Sequence, residues 1–468
     1  MNGAELNVLA VAGALSTIVV AAVFVPGIAR VFLIAQAVYW SLSYIARPVV
    51  LLWTLPVPQF ADSIADPRLA GVGYDRGIEA ALNPVVFGMW FYAALVVVYA
   101  VWSRRKTQTL QVSAASSDPN FFPTLWVVYV LGTLGRLVSY ATGSTGSAGD
   151  VSSANPILDF VTTMATVGAL GLIVFARPTN PRSTALLLAA MAGGEFLWTV
   201  AVESKTPVLG AALALAVRFA MTGWNRSTTV GIGFIGVGAV GAFGLLQSLK
   251  TSGSTQSVAL VADASYPASV QPFLSILRRF DLLEAATDAW YMNGRPWISG
   301  SDVVRNAILN FVPSQILGAE KFQSGTAWAS QVRGSSVDMT GISVSLAEGN
   351  VNEGYVLGGY SGIVCSMLFT FLLLLLAVRW ILARNVIPVV LGLTLIEFPV
   401  LFERGILGST ESLGKSLQAA ILIWMVYLCV GEYRRRTART VSGDSADTEV
   451  VQLAPAGGIA NKGLNTWA

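Results

Sequence analysis

The stretch SVSLAEGNVNEGYVLGGYSG, residues 343–362, places two carboxylates, Glu348 and Glu353, just ahead of Gly358, Gly359 and Gly362. A carboxylate held out of bulk water can accept a proton from a hydroxyl. Glycines beside it let backbone or ligand approach closely. Upstream, the segment PFLSILRRFDLLEAATDAWYMNG adds the acids Asp281, Glu284 and Asp288 and the cations Arg278 and Arg279. Guanidinium groups in such number suit phosphate recognition, and would stabilise charge on a departing pyrophosphate. Histidine is absent from the chain, so no imidazole serves as base, nucleophile or ligand. The two cysteines, Cys365 and Cys429, lie inside apolar runs and read as packing residues, not as a disulfide or metal pair.

The elements that must position these residues are membrane helices. The chain has 468 residues, 54% of them hydrophobic and 12% charged, with mean hydropathy +0.64. A soluble protein carries roughly twice that charged fraction. Recurring runs of about 20 apolar residues predict an all-α polytopic membrane protein with about 11 transmembrane helices. The spans are read at 7–25, 28–56, 84–103, 121–142, 156–176, 183–202, 206–224, 229–248, 355–378, 386–402 and 415–431. The second contains Arg47–Pro48 and is predicted to kink there. Residues 1–248 thus hold spans one to eight, 249–353 one large loop, 354–431 the last three spans, and 432–468 a polar tail read as disordered.

Short loops carry Arg30; Arg104, Arg105 and Lys106; Arg177 and Arg182; Arg226; Arg379 and Arg384; and the run EYRRRTAR. Alternating spans put all of these on one side, which the positive-inside rule makes cytoplasmic. The N-terminus is then outside, the C-terminus inside, and the large loop on the outer face together with a first outer loop at 57–83. The opening MNGAELNVLAVAGALS lacks a charged leader region and reads as the start of the first span. In the large loop, Phe273, Leu274, Ile276, Leu277, Phe280, Leu283, Ala286 and Trp290 recur at helical spacing, which predicts one amphipathic helix, with a second at 301–311. The loop is expected to have no core of its own and to lie on the outer membrane face with its aromatics at headgroup level. It gathers Arg278, Arg279, Arg295, Arg305, Lys321 and Arg333, a set suited to a lipid phosphate. The plainer reading of each cation is interfacial anchoring. Arg136, Lys205 and Arg404, at the outer ends of spans, converge on the same leaflet, where charges are costly and usually functional. The plainer reading there is a structural ion pair, such as Glu195 or Glu203 with Lys205.

The segment NEGYVLGGYSG resembles the acid–aromatic–glycine signature that ends the large periplasmic loop of Wzy-type O-antigen and exopolysaccharide polymerases. ESKTPVLG resembles that family's basic residue at an outer turn. RRFDLLEAATDAW and NFVPSQILGAEK resemble its loop helices and its Pro-to-Lys segment. The family is similar in topology to the O-antigen ligase, with a GT-C-type fold, but the ligase relies on a loop histidine that this chain lacks. The resemblance implies a glycosyltransferase of the bacterial cytoplasmic (inner) membrane with its active site on the outer face. A growing glycan would pass from undecaprenyl pyrophosphate to the non-reducing end of a lipid-linked repeat unit, with inversion and without metal or other cofactor. Carried over to this sequence, Lys205, Arg278, Arg279 and Arg404, with Arg136 and Lys321, would hold pyrophosphate. Glu353 would be the base or a loop-positioning acid, with Asp281 and Asp288 as alternative bases. The implied partners are an undecaprenyl-pyrophosphate-linked oligosaccharide, the lipid bilayer, a chain-length regulator and a flippase, and no nucleic acid. Two other readings stand beside it: a lipid-linked oligosaccharide ligase or other outer-face lipid-donor glycosyltransferase, and a polysaccharide or lipid transporter. The large outer loop counts against the transporter.

Overall fold

The computed structural model describes residues 2–25, 27–59, 64–104, 114–143, 156–178, 180–202, 206–221, 229–238, 263–278, 280–313, 321–339, 344–397 and 403–447, together with Ser204, Arg226, Gly241 and Leu317. Among them the protein is helical throughout, with no β-strand. In chain order the elements are α1 Gly3–Val23, α2 Gly27–Ser41, a π turn Leu42–Ala46, α3 Arg47–Thr54, α4 Pro67–Val72, α5 Tyr74–Ser103, α6 Phe121–Ala141, α7 Pro156–Phe175, α8 Pro181–Ala201 and α9 Thr206–Met221. They continue with α10 Thr229–Gly238. After it come α11 Gln271–Leu277, α12 Leu282–Tyr291, α13 Gly300–Leu309, α14 Ser324–Ala327, a second π turn Trp328–Val332, α15 Asn350–Ile381, α16 Val386–Glu397 and α17 Ile406–Asp447.

Among the described residues, seven helical segments are long and apolar enough to cross a membrane: α1, α2 with α3, α5, α6, α8, α15 and the first part of α17. Shorter apolar helices occur at Phe160–Phe175, Thr206–Met221, Thr229–Gly238 and Val386–Ile396. The chain is therefore a multi-pass helical membrane protein. α17 runs on to Asp447, into residues read as a disordered tail, while 448–468 lie outside the described residues.

The two ends of the bundle differ. At one end, Asn2 bonds Asp75 and Asn7 bonds the Glu79 carbonyl, so α1 and α5 start together. At the other end the Arg104 guanidinium stacks on Phe24. There arginines satisfy the carbonyls that helix C-termini leave unpaired. Arg30 donates to the carbonyls of Ala22, Val23 and Val25, and Arg218 to those of Ile173 and Ala176. Arg30 and Arg218 thus act as C-caps, where a positive charge also meets the negative pole of the helix dipole.

At Pro48 the second span departs from regular geometry. Proline has no N–H to give, and its ring presses on the carbonyl four residues back. The helix widens into the π turn Leu42–Ala46 immediately before Arg47 and Pro48.

α15 holds the largest departure from expectation. Gly358 (φ −162°, ψ 25°) and Gly359 (φ 59°, ψ −141°) break it. The Ser366 hydroxyl donates to the Asn350 carbonyl at 2.6 Å, and Asn350 Nδ2 donates to Thr370 Oγ1 at 2.9 Å. Residues 16 and 20 positions apart would lie roughly 24–30 Å apart along one straight helix. Residues 350–357 therefore double back, antiparallel, on the helix that follows. Glycine makes this possible twice: Gly359 takes a positive φ, and Gly354 packs backbone-to-backbone against Gly362. A Cβ at position 362 would sit 2.0 Å from the Gly354 carbonyl oxygen. Gly362→Ala is accordingly expected to cost about 1–3 kcal/mol through overpacking. The check is thermal unfolding of the detergent-purified chain beside Gly231→Ala, where a Cβ meets nothing within 4 Å. Equal midpoints for the two variants would refute the hairpin packing.

The loop region differs from the reading in two ways. The single amphipathic helix is split into α11 and α12, with Phe280 and Asp281 between them. The region also has a small core: Trp328, fully buried, packs with Ala285, Ala289, Met292, Val332 and Val356. Leu282, Leu283 and Ala286 join the main bundle core instead. Its apolar faces are spent on the bundle and on the returning hairpin, so α12 is a roof fixed to the helices.

Candidate functional site

Three arginines from distant parts of the chain meet under that roof. Arg47 begins α3, Arg68 lies in the first turn of α4, and Arg333 follows the second π turn. They line a cavity of about 390 Å³ together with Asp66, Glu284 and Ser336. Each is aimed by local structure. Asp66 caps α4, its carboxylate accepting from the Arg68 amide at 2.8 Å, and Pro67 presets the first helical residue. Both π turns end on a cavity arginine, a placement in keeping with the frequency of such turns at functional sites.

The ion pairs form one network. Arg68 Nη2 donates to Asp66 Oδ2 at 2.8 Å, and its Nη1 to Asp288 Oδ1 and to Ser336 Oγ, both at 2.7 Å. Arg333 Nε donates to Asp288 Oδ2 at 3.0 Å, and its Nη1 pairs with Glu284 Oε1 at 3.0 Å. Glu284 Oε2 lies 3.7 Å from Arg47 Nη2, which also donates to the Ile64 carbonyl. Trp328 Nε1 donates to Asp288 Oδ2 at 3.2 Å. Burial works against the charge of Arg68 and Arg333, but the carboxylates around them outweigh it and hold both guanidiniums firmly protonated. Burial pushes the Glu284 carboxyl up; Arg333 and Arg47 offset part of that rise. The cavity therefore offers fixed, directed guanidinium donors with two acids, Asp66 and Glu284, on its wall, an arrangement for holding a small polyanion.

The proposed base and phosphate residues are distributed differently from expectation. Asp288 is fully buried and has both oxygens engaged by Arg68, Arg333 and Trp328, so it organises the arginines and is not open to a substrate hydroxyl. Asp281 stands at the start of α12, half-buried, and does not line the cavity. Glu353 is fully buried at the hairpin, and its Oε1 accepts from the Leu407 amide at 3.0 Å, capping the start of α17. Glu348 is also fully buried and pairs with Arg404 at 3.3 Å. Burial raises its carboxyl, and Arg404 and Ser324 restrain the rise. The two acids of the opening motif thus latch the hairpin and residues 345–349 to the start of α17 and the residues just before it, with the Gly349 amide donating to the Glu403 carbonyl and Asn350 Nδ2 to that of Arg404.

Arg136 is buried against Glu195 in a two-pronged ion pair of 2.8 and 3.0 Å, bonded also to Thr166 and stacked on Trp198, which ties α6 to α7 and α8. Arg278 pairs with Asp263. Lys321 donates to the Asn310 carbonyl at 3.0 Å, close to Lys415. None of these three lines the arginine cavity. Lys205 and Arg279 lie outside the described residues.

Two features of the cavity escaped the sequence. Arg68 sits 220 residues from Asp288, and only the Asp66–Pro67 helix start marks its place. Glu284 is one of several acids on an amphipathic segment, and spacing alone did not single it out. No family model, no curated protein and no solved structure matches the chain.

Proposed function

We propose that this membrane protein is a polysaccharide polymerase of the Wzy type, built on a GT-C-like bundle and acting at the outer face of the bacterial cytoplasmic membrane. It transfers a growing glycan from undecaprenyl pyrophosphate to the non-reducing end of a lipid-linked repeat unit. The observation that carries the reading is the convergence of Arg47, Arg68 and Arg333 on one cavity large enough for a pyrophosphate group. The guanidiniums would hold the donor's pyrophosphate and stabilise the charge it gains on leaving. The surroundings support a lipid donor. α3 leads from Arg47 to an exposed apolar run of Trp53, Leu55 and Val57, so a headgroup in the cavity has a surface beside it for a hydrocarbon tail.

One observation favours a second reading. The folded-back arm of α15 is a discontinuous helix, a form that recurs in transporters. One experiment separates the readings. The purified full chain, in lipid nanodiscs and in liposomes, is given a short-chain lipid-pyrophosphate oligosaccharide. A ladder of lengthened products is expected. A single transfer without repetition indicates a ligase. Movement of the lipid across the liposome membrane with no lengthening indicates a transporter and refutes the polymerase.

A further inference from the structure

The cavity arginines already meet carboxylates before any ligand arrives. Arg47, Arg68 and Arg333 pair with Asp66, Glu284 and Asp288. A polyanion that takes the guanidiniums must therefore displace a carboxylate or sit beside it at close range, where like charges repel strongly in a partly buried site. The three acids are not equally held. Asp288 is fully buried with two arginines and an indole N–H on it. Asp66 is 6% exposed, bonded to both the side chain and the amide of Arg68 as the α4 cap. Glu284 is 25% exposed, with one ion pair at 3.0 Å and a long one at 3.7 Å. It occupies the site that an anionic ligand would take.

We propose that Glu284 is the resident counter-anion of the arginine cavity, and that a phosphate or pyrophosphate ligand binds by displacing it from Arg333 and Arg47 with uptake of one proton. The inference rests on the cavity being an anion site, as the polymerase reading requires. The groups facing Glu284 are Arg333 and Arg47, its neighbours Asp281 and Asp288, and Arg68 and Asp66 across the cavity. Burial already favours the neutral carboxyl, and Arg333 and Arg47 oppose it. Once the ligand occupies those two cations, Asp281, Asp288 and the ligand's own charge all act in the same direction. The proton goes to the Glu284 carboxyl and comes from solvent, so no bond other than O–H changes. The sign follows: the bound state holds one more proton, so affinity rises as pH falls.

The test is calorimetric titration of the detergent-purified full chain with inorganic pyrophosphate, in two buffers of different ionisation enthalpy, at several pH values. Glu284→Gln removes the displaced charge and keeps the shape. The expected result is proton uptake in the wild type beyond that of the Gln variant, with the variant binding ~10-fold tighter at neutral pH and over a flatter pH profile. Binding seen only in Glu284→Gln also supports the proposal, since the carboxylate then blocks the site outright. Equal affinity and equal proton uptake in the two proteins would overturn it and leave the anion site standing. Pyrophosphate binding by neither protein would overturn both the proposal and the cavity's assignment as a pyrophosphate site.

Discussion

Asp288→Ala is expected to lower stability by about 3–5 kcal/mol, because it removes a fully buried carboxylate shared by two part-buried cations. Arg68 would keep Asp66 and Arg333 would keep Glu284, but the carboxylate that binds α4 to the segment after the second π turn would be gone. The Trp328 indole N–H would lose its acceptor as well, inside the small core of the roof. The mechanism is the loss of a shared counter-charge, so conservative replacement should not rescue it: Asp288→Asn keeps the volume and still leaves each guanidinium with one carboxylate where it had two. The measurement is the unfolding midpoint of the purified chain in detergent, read for both variants. A loss confined to Asp288→Ala, with Asp288→Asn near wild type, would point to a cavity effect and count against the ionic account.

The second large effect is on activity. If the proposed polymerase activity holds, Arg333→Ala is expected to slow chain lengthening by roughly 10²–10³-fold, the usual consequence of deleting one preorganised donor from a site where negative charge develops. Arg333 reaches the cavity from the loop region and also holds Asp288, so its removal would act on chemistry and on positioning together. Arg333→Lys helps to separate the two. A lysine keeps the charge but not the planar fork that spans Asp288 and Glu284, so folding should be largely kept while most of the rate is lost. Arg136→Lys is the control, since that side chain is engaged by Glu195 away from the cavity. If the Arg136 change abolished lengthening and the Arg333 changes did not, the pyrophosphate site would have to be moved.

The sequence exposed what repeats and hid what meets. Apolar runs and cations in short loops are local, periodic signals, and they revealed the helical membrane character and the disturbance at Pro48. The site is not local. Arg47, Arg68, Glu284 and Arg333 are brought together only by packing α12 onto the bundle and by the α4 cap, neither of which leaves a pattern in spacing. The opening motif misled in an instructive way. Its acids and glycines did mark a place where backbone approaches closely. The close approach, however, is that of the chain to itself: Gly354 on Gly362, and Glu353 on the start of α17. A buried carboxylate beside glycines reads the same in sequence whether it faces a ligand or a helix terminus.

The two π turns carry a consequence for how this cavity can vary. A π turn amounts to one extra residue in a helix, and each residue rotates the following chain by about 100°. Leu42–Ala46 sits immediately before Arg47, and Trp328–Val332 immediately before Arg333. The aim of each guanidinium is thus indexed by a count of residues as well as by the identity of the side chain. Removing one residue from either turn would leave the composition, hydropathy and charge of the chain almost untouched, yet swing its arginine out of the cavity. Insertion and deletion, at these two places, are a tuning dial for specificity that substitution cannot reach.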